Sequence, residues 1–561
     1  MFWKRAPKEP RPDPPRAEPP SGLDLVLLYH ERTKHHPFRY ARALGYMDWD
    51  TQPDPFRRYE GAPTAILDET PPEDTPSFDD MFDPARRTPA TLDARFVSQL
   101  FYDSLAISAW KEYKEARWSL RVNPSSGNLH PTEGYLISGP VPGICDAPAL
   151  HHYYPYLHAL ERRREIPVEV WDELRAGLPE SAILVGLSSI PWRESWKYGE
   201  RAFRYCQHDV GHAIGAVTLA ASLLGWRAAL LERWTDDAIA AVLGIDGQTG
   251  FEAEHPDCLI ALAPHDAPPG WGHAPAGENI ARVKALPLSG TPRPLSKDHH
   301  DWPIIEAMTG ATAKAGAPPA ELFAAGPPVP PWRIAPYGAL ASARRMIRQR
   351  RSAVDMDGKT SVPRATFYQM LARVLPGRAP FEALPWSPRI HLLLFVHRVD
   401  DLAPGTYMLV RDPGTQAELR ASTPRLSWQS DESFEPGLLW LLEAGDVRAS
   451  AQGSSCGQDI AADGAFAAAM IAHYEPSLRA LGPWFYRRLH WEAGLIGQVL
   501  YLDAEAAGIR STGIGCFFDD VVHQMLGLAD RRFQDIYHFT VGGPRDDPRL
   551  RTLDAYAHRG V

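Results

Sequence analysis

Apolar and small side chains in this chain gather into two long runs that are hydrophobic on nearly every side, Arg204 to Leu224 and Arg487 to Ala507. A run of that length without a polar face predicts a helix buried all round rather than a surface helix. After each run the same sequence of features recurs: a glycine turn, a short extended piece, and a helix that opens on two aspartates and closes on Leu-Gly. Elsewhere, Ala339 to Arg351 and Ala365 to Leu375 read as helices, the second with Phe367, Met370, Leu371 and Val374 on one stripe. Ile390 to His397 reads as a buried strand, with Thr406 to Val410 as its hairpin partner across a Pro404-Gly405 turn.

Sliding the chain by 283 residues pairs identical residues without a gap, at Gly199/Gly482, Arg204/Arg487, Gly211/Gly494, Leu219/Leu502, Ala221/Ala504, Gly225/Gly508, Arg227/Arg510, Asp236/Asp519, Asp237/Asp520, Leu243/Leu526 and Gly244/Gly527. Such a repeat predicts tandem copies of one domain. Two like domains that bury a helix pair between them account for both apolar runs, so the expected architecture is α+β and an intramolecular pseudo-dimer. The expected divisions are a disordered, Pro-rich tail over 1–22, a first domain over 23–286, a Pro-rich linker over 287–336 and a second domain over 337–561. Within that linker the Gly326 to Pro331 run is the most proline-dense, and Pro303 to Met308 is an apolar patch able to dock. Leu67 to Pro89 is expected as a long acidic loop.

Composition narrows the function classes. At 561 residues the chain is too long for one core. A net charge of −10 disfavours a broad grip on nucleic acid or on an anionic membrane face. The N-terminus lacks an apolar signal core, and five scattered cysteines form no CxxC pair. A reducing, cytoplasmic compartment is therefore expected, with neither a disulfide framework nor a bound metal.

Several segments could carry chemistry. Pro124-Ser125-Ser126-Gly127-Asn128 offers hydroxyls, an amide and a close backbone approach, which suits the polar edge of a planar heterocycle as well as a plain turn. Arg350-Arg351-Ser352 offers guanidiniums and a hydroxyl to a phosphate or a pyrimidine edge, or simply complements a helix C-terminus. The two copies also diverge. Where the first has Leu230-Leu231-Glu232-Arg233, the second has Gly513-Ile514-Gly515-Cys516, so only the second should let a ligand press on bare amides. Lys197-Tyr198 of the first copy aligns with Ala480-Leu481, and the lysine is expected to lower the tyrosine pKa and make a general base. Gly453 to Gly457 fits the GxSxG pattern, but no strand-to-helix elbow or triad order frames it. His30 and His35 miss the zinc-protease spacing by one residue, and His299-His300-Asp301 reads as a solvated polar cluster.

Taken together, Trp192 to Tyr205, Asp209-Val210-Gly211-His212, Pro124 to Glu133 and His152 to Glu161 resemble the nitroreductase superfamily, in particular its SagB-type branch of azoline dehydrogenases acting on ribosomal peptides. Arg350-Arg351-Ser352, Gly513 to Asp520 and Gly542 to Arg545 extend the resemblance to the second half. The resemblance implies an FMN oxidoreductase that exchanges hydride at flavin N5, its cofactor clasped between two like domains. Carried over, it assigns Arg350, Arg351, Ser352, Gly513, Ile514, Gly515 and Arg545 of the second half and Ser125, Ser126 and Asn128 of the first to FMN, with Lys197 and Tyr198 as catalytic residues. The reciprocal site is expected to be lost, because Trp386-Ser387-Pro388-Arg389 replaces the Pro-Ser loop, so one FMN per chain is expected. The implied substrate is a small molecule or a peptide. An NAD(P)H-dependent nitro or quinone reductase and a flavin-free scaffold binding a peptide or a synthetase are the alternatives.

Overall fold

Both apolar runs are helices, Ala202–Leu223 and Phe485–Ala506, each of 22 residues, and they meet where Gly211 faces Gly494. A β-carbon built on Gly494 falls 2.2 Å from the His208 carbonyl oxygen, and one on Gly211 falls 2.3 Å from that of Trp491. Neither separation is tolerable, so glycine at both positions is what lets the two backbones touch. The computed structural model describes residues 21–69, 76–268, 271, 274–318 and 342–559. Residues 1–20 of the tail expected over 1–22 and the Gly326 to Pro331 run lie outside the described residues, while the last two tail residues are ordered: Ser21 caps and Gly22 opens the helix Gly22–Arg32.

Each long helix lies with one of two seven-stranded antiparallel sheets. The first sheet runs Thr64–Ile66, Ala159–Glu165, Ala149–Tyr154, Thr132–Ser138, Ile183–Ser189, His255–Pro264, Trp226–Leu230. The second runs Gln429–Ser430, Leu439–Ala444, Gly405–Leu409, Ile390–Val396, Phe466–His473, Phe533–Gly542, Arg510–Ile514. Six of the seven positions correspond; the edge strands differ, since Thr64–Ile66 precedes the rest of its sheet in the chain, whereas Gln429–Ser430 falls between Gly405–Leu409 and Leu439–Ala444. The architecture is mixed α/β, and the central strands are buried on both faces, which is why Ile183–Ser189 and Phe466–His473 read as continuous apolar stretches.

The contacts between halves are reciprocal. Arg204 donates to Asp519 at 2.6 Å, and the residues 283 positions away, Arg487 and Asp236, form the matching pair. The four side chains are buried. These aspartates are the ones that open the helices Asp236–Leu243 and Asp519–Leu526, and Gly244 and Gly527 close both helices in the left-handed conformation. The halves also exchange ends. Lys34 reaches Asp520 at 2.8 Å, while Arg551–Leu553 adds a strand to Ile107–Tyr113, itself paired with Ala116–Arg121. Trp110 then donates to the Ala555 carbonyl at 2.7 Å.

Three expectations are corrected. The segment read as an acidic loop holds the short helices Phe78–Phe82 and Pro84–Arg86, because Phe78, Met81 and Phe82 bury themselves while Asp79 pairs with Arg373. Residues 287–318, read as linker, pack on the first half: Thr291–Pro292 pairs with Tyr59–Glu60, and the helix Pro303–Ala311 lies against Gly22–Arg32. The strands Ile390–Val396 and Gly405–Leu409 do pair, but Val396 faces Gly405, so the connection is residues 397–404 rather than a tight turn. Val362 holds that longer loop, donating to the Arg398 carbonyl and accepting from the Asp400 amide, both at 2.9 Å. The helix expected over Ala339 to Arg351 spans Ala343–Gln349, capped by Ser342. No described helix is long and apolar enough to cross a membrane.

Candidate functional site

A cavity of about 720 Å³ opens along the seam, walled by both halves. From the first half come Ser125, Ser126, Gly127 and Asn128 of the Pro-Ser loop, Tyr198 from the end of helix Pro191–Tyr198, and Tyr205, Asp209 and His212 from the long helix. Their spacing along that helix sets the last three on one face. From the second half come Arg350, Arg351 and Ser352, then Tyr501, then Gly513, Ile514, Gly515 and Cys516.

Arg350 has the most unusual environment. It is 4% exposed; one terminal nitrogen donates to the Arg121 carbonyl at 3.2 Å, while Nε and Nη1 are buried without a partner. Its guanidinium lies 4.9 Å from the centre of the Tyr501 ring. Burial, followed by the neighbouring Arg350 and Arg348, pulls the Arg351 pKa down to about 9. Lys111 is lowered by burial and then by Arg351 and Arg510. A buried guanidinium with free donors, among further cations, is a receptor for an anion.

The Pro-Ser loop is anchored by carboxylates. Asp209 accepts from the Ser126 amide at 3.0 Å and from its hydroxyl at 3.1 Å, and Ser125 Oγ donates to Glu194 at 3.4 Å. Burial pushes Asp209 up to about 7, and burial together with Asp209 raises Glu194 well above the usual carboxylate range. Two adjacent acids in so little water hold a proton that an exposed pair would release. A β-carbon built on Gly127 falls 2.5 Å from Tyr198 Oη and 3.1 Å from Lys197 Nζ, so the Lys-Tyr pair does reach this loop.

Other expectations change. Tyr198 is not an activated phenolate: burial first, then Glu194, Tyr205 and Asp209, hold its pKa well above the ordinary value. Burial outweighs the lysine. Gly513 and Gly515 line the cavity, but their bareness makes room for side chains rather than for a ligand; β-carbons there would fall 2.0 Å from Tyr537 Oη and 2.6 Å from Tyr205. The Gly513 amide already donates to Tyr501 Oη at 2.9 Å. Arg545 lies outside the cavity lining and pairs with Asp355 at the surface at 3.3 Å. Arg510 lines the wall instead, paired with Asp546. Tyr205, Asp209 and His212 went unassigned, although their one-face spacing on a predicted helix was a usable signal.

The place 283 residues away, in the first half, is filled. Glu232, the counterpart of Gly515, binds Lys314 at 2.7 Å and Arg488 at 2.9 Å. Glu492, the counterpart of Asp209, accepts from the Arg389 amide at 3.0 Å, so residues 386–389 do stand where the Pro-Ser loop stands, but here Arg411 neutralises the carboxylate. The GxSxG segment also differs from expectation: Ser455 Oγ is 2.9 Å from His538 Nδ1, and His538 Nε2 is 2.6 Å from Asp535. All three residues are buried outside the cavity lining, so the chain of bonds anchors a loop. Among the described residues no group of three or more His, Cys, Asp or Glu could hold a metal ion.

Residues 347–543 match the model of the Nitroreductase family. A candidate nitroreductase from Methanocaldococcus jannaschii is 30% identical over 61 residues, which is 11% of this chain and 31% of that protein; the match thus spans about a third of the relative's length. The crystal structure of a candidate nitroreductase from Anabaena variabilis superposes with a TM-score of 0.65 at 22% identity, covering 93% of this chain and 99% of that one. A candidate nitroreductase from Ralstonia eutropha covers 40% of this chain and 96% of its own, with 12% identity and a TM-score of 0.26. The fold is therefore nitroreductase-like, and a Nitroreductase family domain occupies part of the second half.

Proposed function

We propose that this chain is an FMN-dependent oxidoreductase of the SagB type, built from two tandem nitroreductase-like domains, 23–286 and 337–561, packed as an intramolecular pseudo-dimer with one FMN at their seam. The observation that carries the reading is the pair of unpartnered donors on buried Arg350 in a cavity walled by both halves. The reciprocal Arg204–Asp519 and Arg487–Asp236 pairs support the duplication, and the Glu232–Lys314–Arg488 cluster supports a single surviving site.

The residues fit the group. Arg350 and Arg351, with Lys111 and Arg510 near, would hold the phosphate; Ser352 adds a hydroxyl. Tyr205, Tyr537 and Ile514 would flank the planar ring, and the Pro-Ser loop, with Ser125, Ser126 and Asn128, would meet its polar edge. About 720 Å³ is within the range of small-ligand sites. Bound FMN supplies hydride exchange at N5. The chain's own contribution would be the proton: Asp209, raised by burial to about 7 in the cavity wall, would accept the one released from substrate, while Tyr198, held protonated by burial, would offer a hydrogen-bond donor. Lys197, whose Nζ also lies near Gly127, would add a positive charge there. The substrate proposed for the cavity mouth is an azoline or related group of a small molecule or peptide.

The test is reconstitution. The purified chain given FMN should bind one equivalent and turn yellow, and Arg350→Ala combined with Arg351→Ala should lose the colour while keeping its melting curve. A wild-type chain that stays colourless, or a double variant that retains stoichiometric flavin, would overturn the reading. Loss of two hydrogens from an azoline peptide would then identify the dehydrogenase, and steady NAD(P)H consumption with a quinone would replace it with a reductase.

A further inference from the structure

The sulfurs of Cys456 and Cys516 stand 2.8 Å apart, although 60 residues separate them along the chain. Cys516 follows the strand Arg510–Ile514 and lines the cavity; Cys456 follows the helix Arg448–Ser454. Both are partly exposed, whereas Cys145, Cys206 and Cys258 are buried.

The two cysteine segments are tied on each side of the sulfurs. The Phe518 amide donates to the Ser454 carbonyl at 2.7 Å, and Gln458 Nε2 donates to the carbonyls of Ser455 and Cys516, each at 2.9 Å. The buried Ser455–His538–Asp535 chain pins the same loop from beneath. Cys456 itself takes a positive φ of 56°, a conformation that costs a non-glycine residue energy and is held here by the bonds on either side. Thiols fixed in register in this way are arranged for one another rather than adjacent by chance.

Their surroundings divide the roles. Arg201, from the other half, lies 4.7 Å from the Phe517 ring and reaches the Gly515 carbonyl. Contact with Cys456, then Arg201, holds Cys516 below the ordinary thiol range, while contact with Cys516 and burial hold Cys456 above it. Cys516, the one of the two that lines the cavity, is the sulfur an entering disulfide meets and so the nucleophile, and Cys456 is the partner that resolves. On the outer side Tyr40, 52% exposed, sits against Cys456.

We propose that Cys456 and Cys516 form a reversible dithiol/disulfide couple in the wall of the cavity, oxidised by small disulfides that enter it. The Cys516 thiol loses its proton to water, and its thiolate attacks one sulfur of the small disulfide and expels a thiolate; the Cys456 thiol gives that thiolate its proton, attacks Cys516 Sγ and expels the second thiolate, which takes up from water the proton that Cys516 released. Two thiols of the protein become one disulfide, and one small disulfide becomes two thiols. The sulfurs need only close from 2.8 Å to about 2.05 Å. Closure replaces an ionisable group in the cavity wall by a neutral one, which makes ligand binding there responsive to the thiol poise.

The experiment uses the full chain, reduced, desalted, and equilibrated with glutathione and glutathione disulfide in varied ratio before thiol alkylation and peptide mapping. Two of the five cysteines should become unreactive together, the peptides carrying Cys456 and Cys516 should appear joined, and excess glutathione should reverse the joining. Cys456→Ser should instead stall as a glutathione adduct on Cys516. Wild-type chain in which both cysteines stay alkylatable, or carry separate glutathione adducts, would overturn the proposal. The readout needs no flavin, so its outcome is independent of the cofactor reading.

Discussion

Arg204 donates to Asp519 at 2.6 Å across the seam, and Asp519 also takes Arg201 at 2.9 Å and the His35 amide at 2.9 Å. Although burial opposes ionisation, the two guanidiniums keep this carboxyl well below the usual range. Asp519→Ala would leave two buried cations without a counter-charge, a loss of about 3–5 kcal/mol. Asp236→Ala should cost less, because Arg487 keeps the Pro256 carbonyl at 2.9 Å and Asp257 at 3.8 Å. Urea unfolding of the two variants should rank them in that order, and equal midpoints would contradict the assignment.

The crossing of the long helices tolerates no side chain. Gly494→Ala would set its methyl 2.2 Å from the His208 carbonyl and must push the helices apart, costing on the order of 1–3 kcal/mol or more. Gly453, inside the helix Arg448–Ser454 with nothing within 4 Å of a built β-carbon, is the control: alanine there should be neutral or stabilising. Thermal melts compare the two directly.

Arg510 lines the cavity and Arg545 does not. Arg510→Ala should weaken FMN binding roughly ten-fold, the loss of one charge-assisted contact. Arg545→Ala should change it less than about two-fold, since it removes only an exposed pair with Asp355. Flavin fluorescence titration separates these outcomes, and a larger effect from Arg545 would move the phosphate end of the site.

Asp209 gives a pH dependence of definite sign. Its folded-state pKa of about 7 lies above the ordinary 3.8, so the folded chain retains this proton after the unfolded chain has lost it. Stability relative to Asp209→Asn should therefore fall as pH rises from about 4 to about 7, by on the order of a few kcal/mol, and then level off. Asp257 and Asp503, raised to about 6 and about 7, titrate in the same window but are common to both proteins and cancel, whereas Glu194, raised in part by Asp209, relaxes in the variant and adds a difference of the same sign. Urea midpoints at pH 5 and pH 7.5 measure the difference; parallel shifts in the two proteins would show that Asp209 ionises normally.

Much of this arrangement could be read from residues alone, for reasons that differ by feature. The long helices were visible because a helix buried on all sides must be apolar on all sides, and the 283-residue register brought Arg204, Gly211 and Asp236 into alignment with their counterparts. The Pro-Ser loop and Arg350 could be recognised by residue type. What could not be read was charge balance among neighbours. Lys197 beside Tyr198 in sequence suggests activation, but folding buries the phenol and brings Glu194 and Asp209 beside it, which reverses the expectation. Gly513 and Gly515 look like ligand-facing backbone until Tyr537 and Tyr205 are found against them. Cys456 and Cys516 looked unrelated because their approach depends on two loops from different elements.

The strand Arg551–Leu553 lies across the seam, and Asp546, Asp547, Pro548, Leu550 and Thr552 supply part of the cavity wall. Since synthesis runs from the N-terminus, Lys111 leaves the ribosome hundreds of residues before Thr552, and the pocket stays open on one side until this strap is threaded onto Ile107–Tyr113. The cavity wall is therefore complete only once this late segment is seated, and removal of residues 546–553 would leave the cavity without that side.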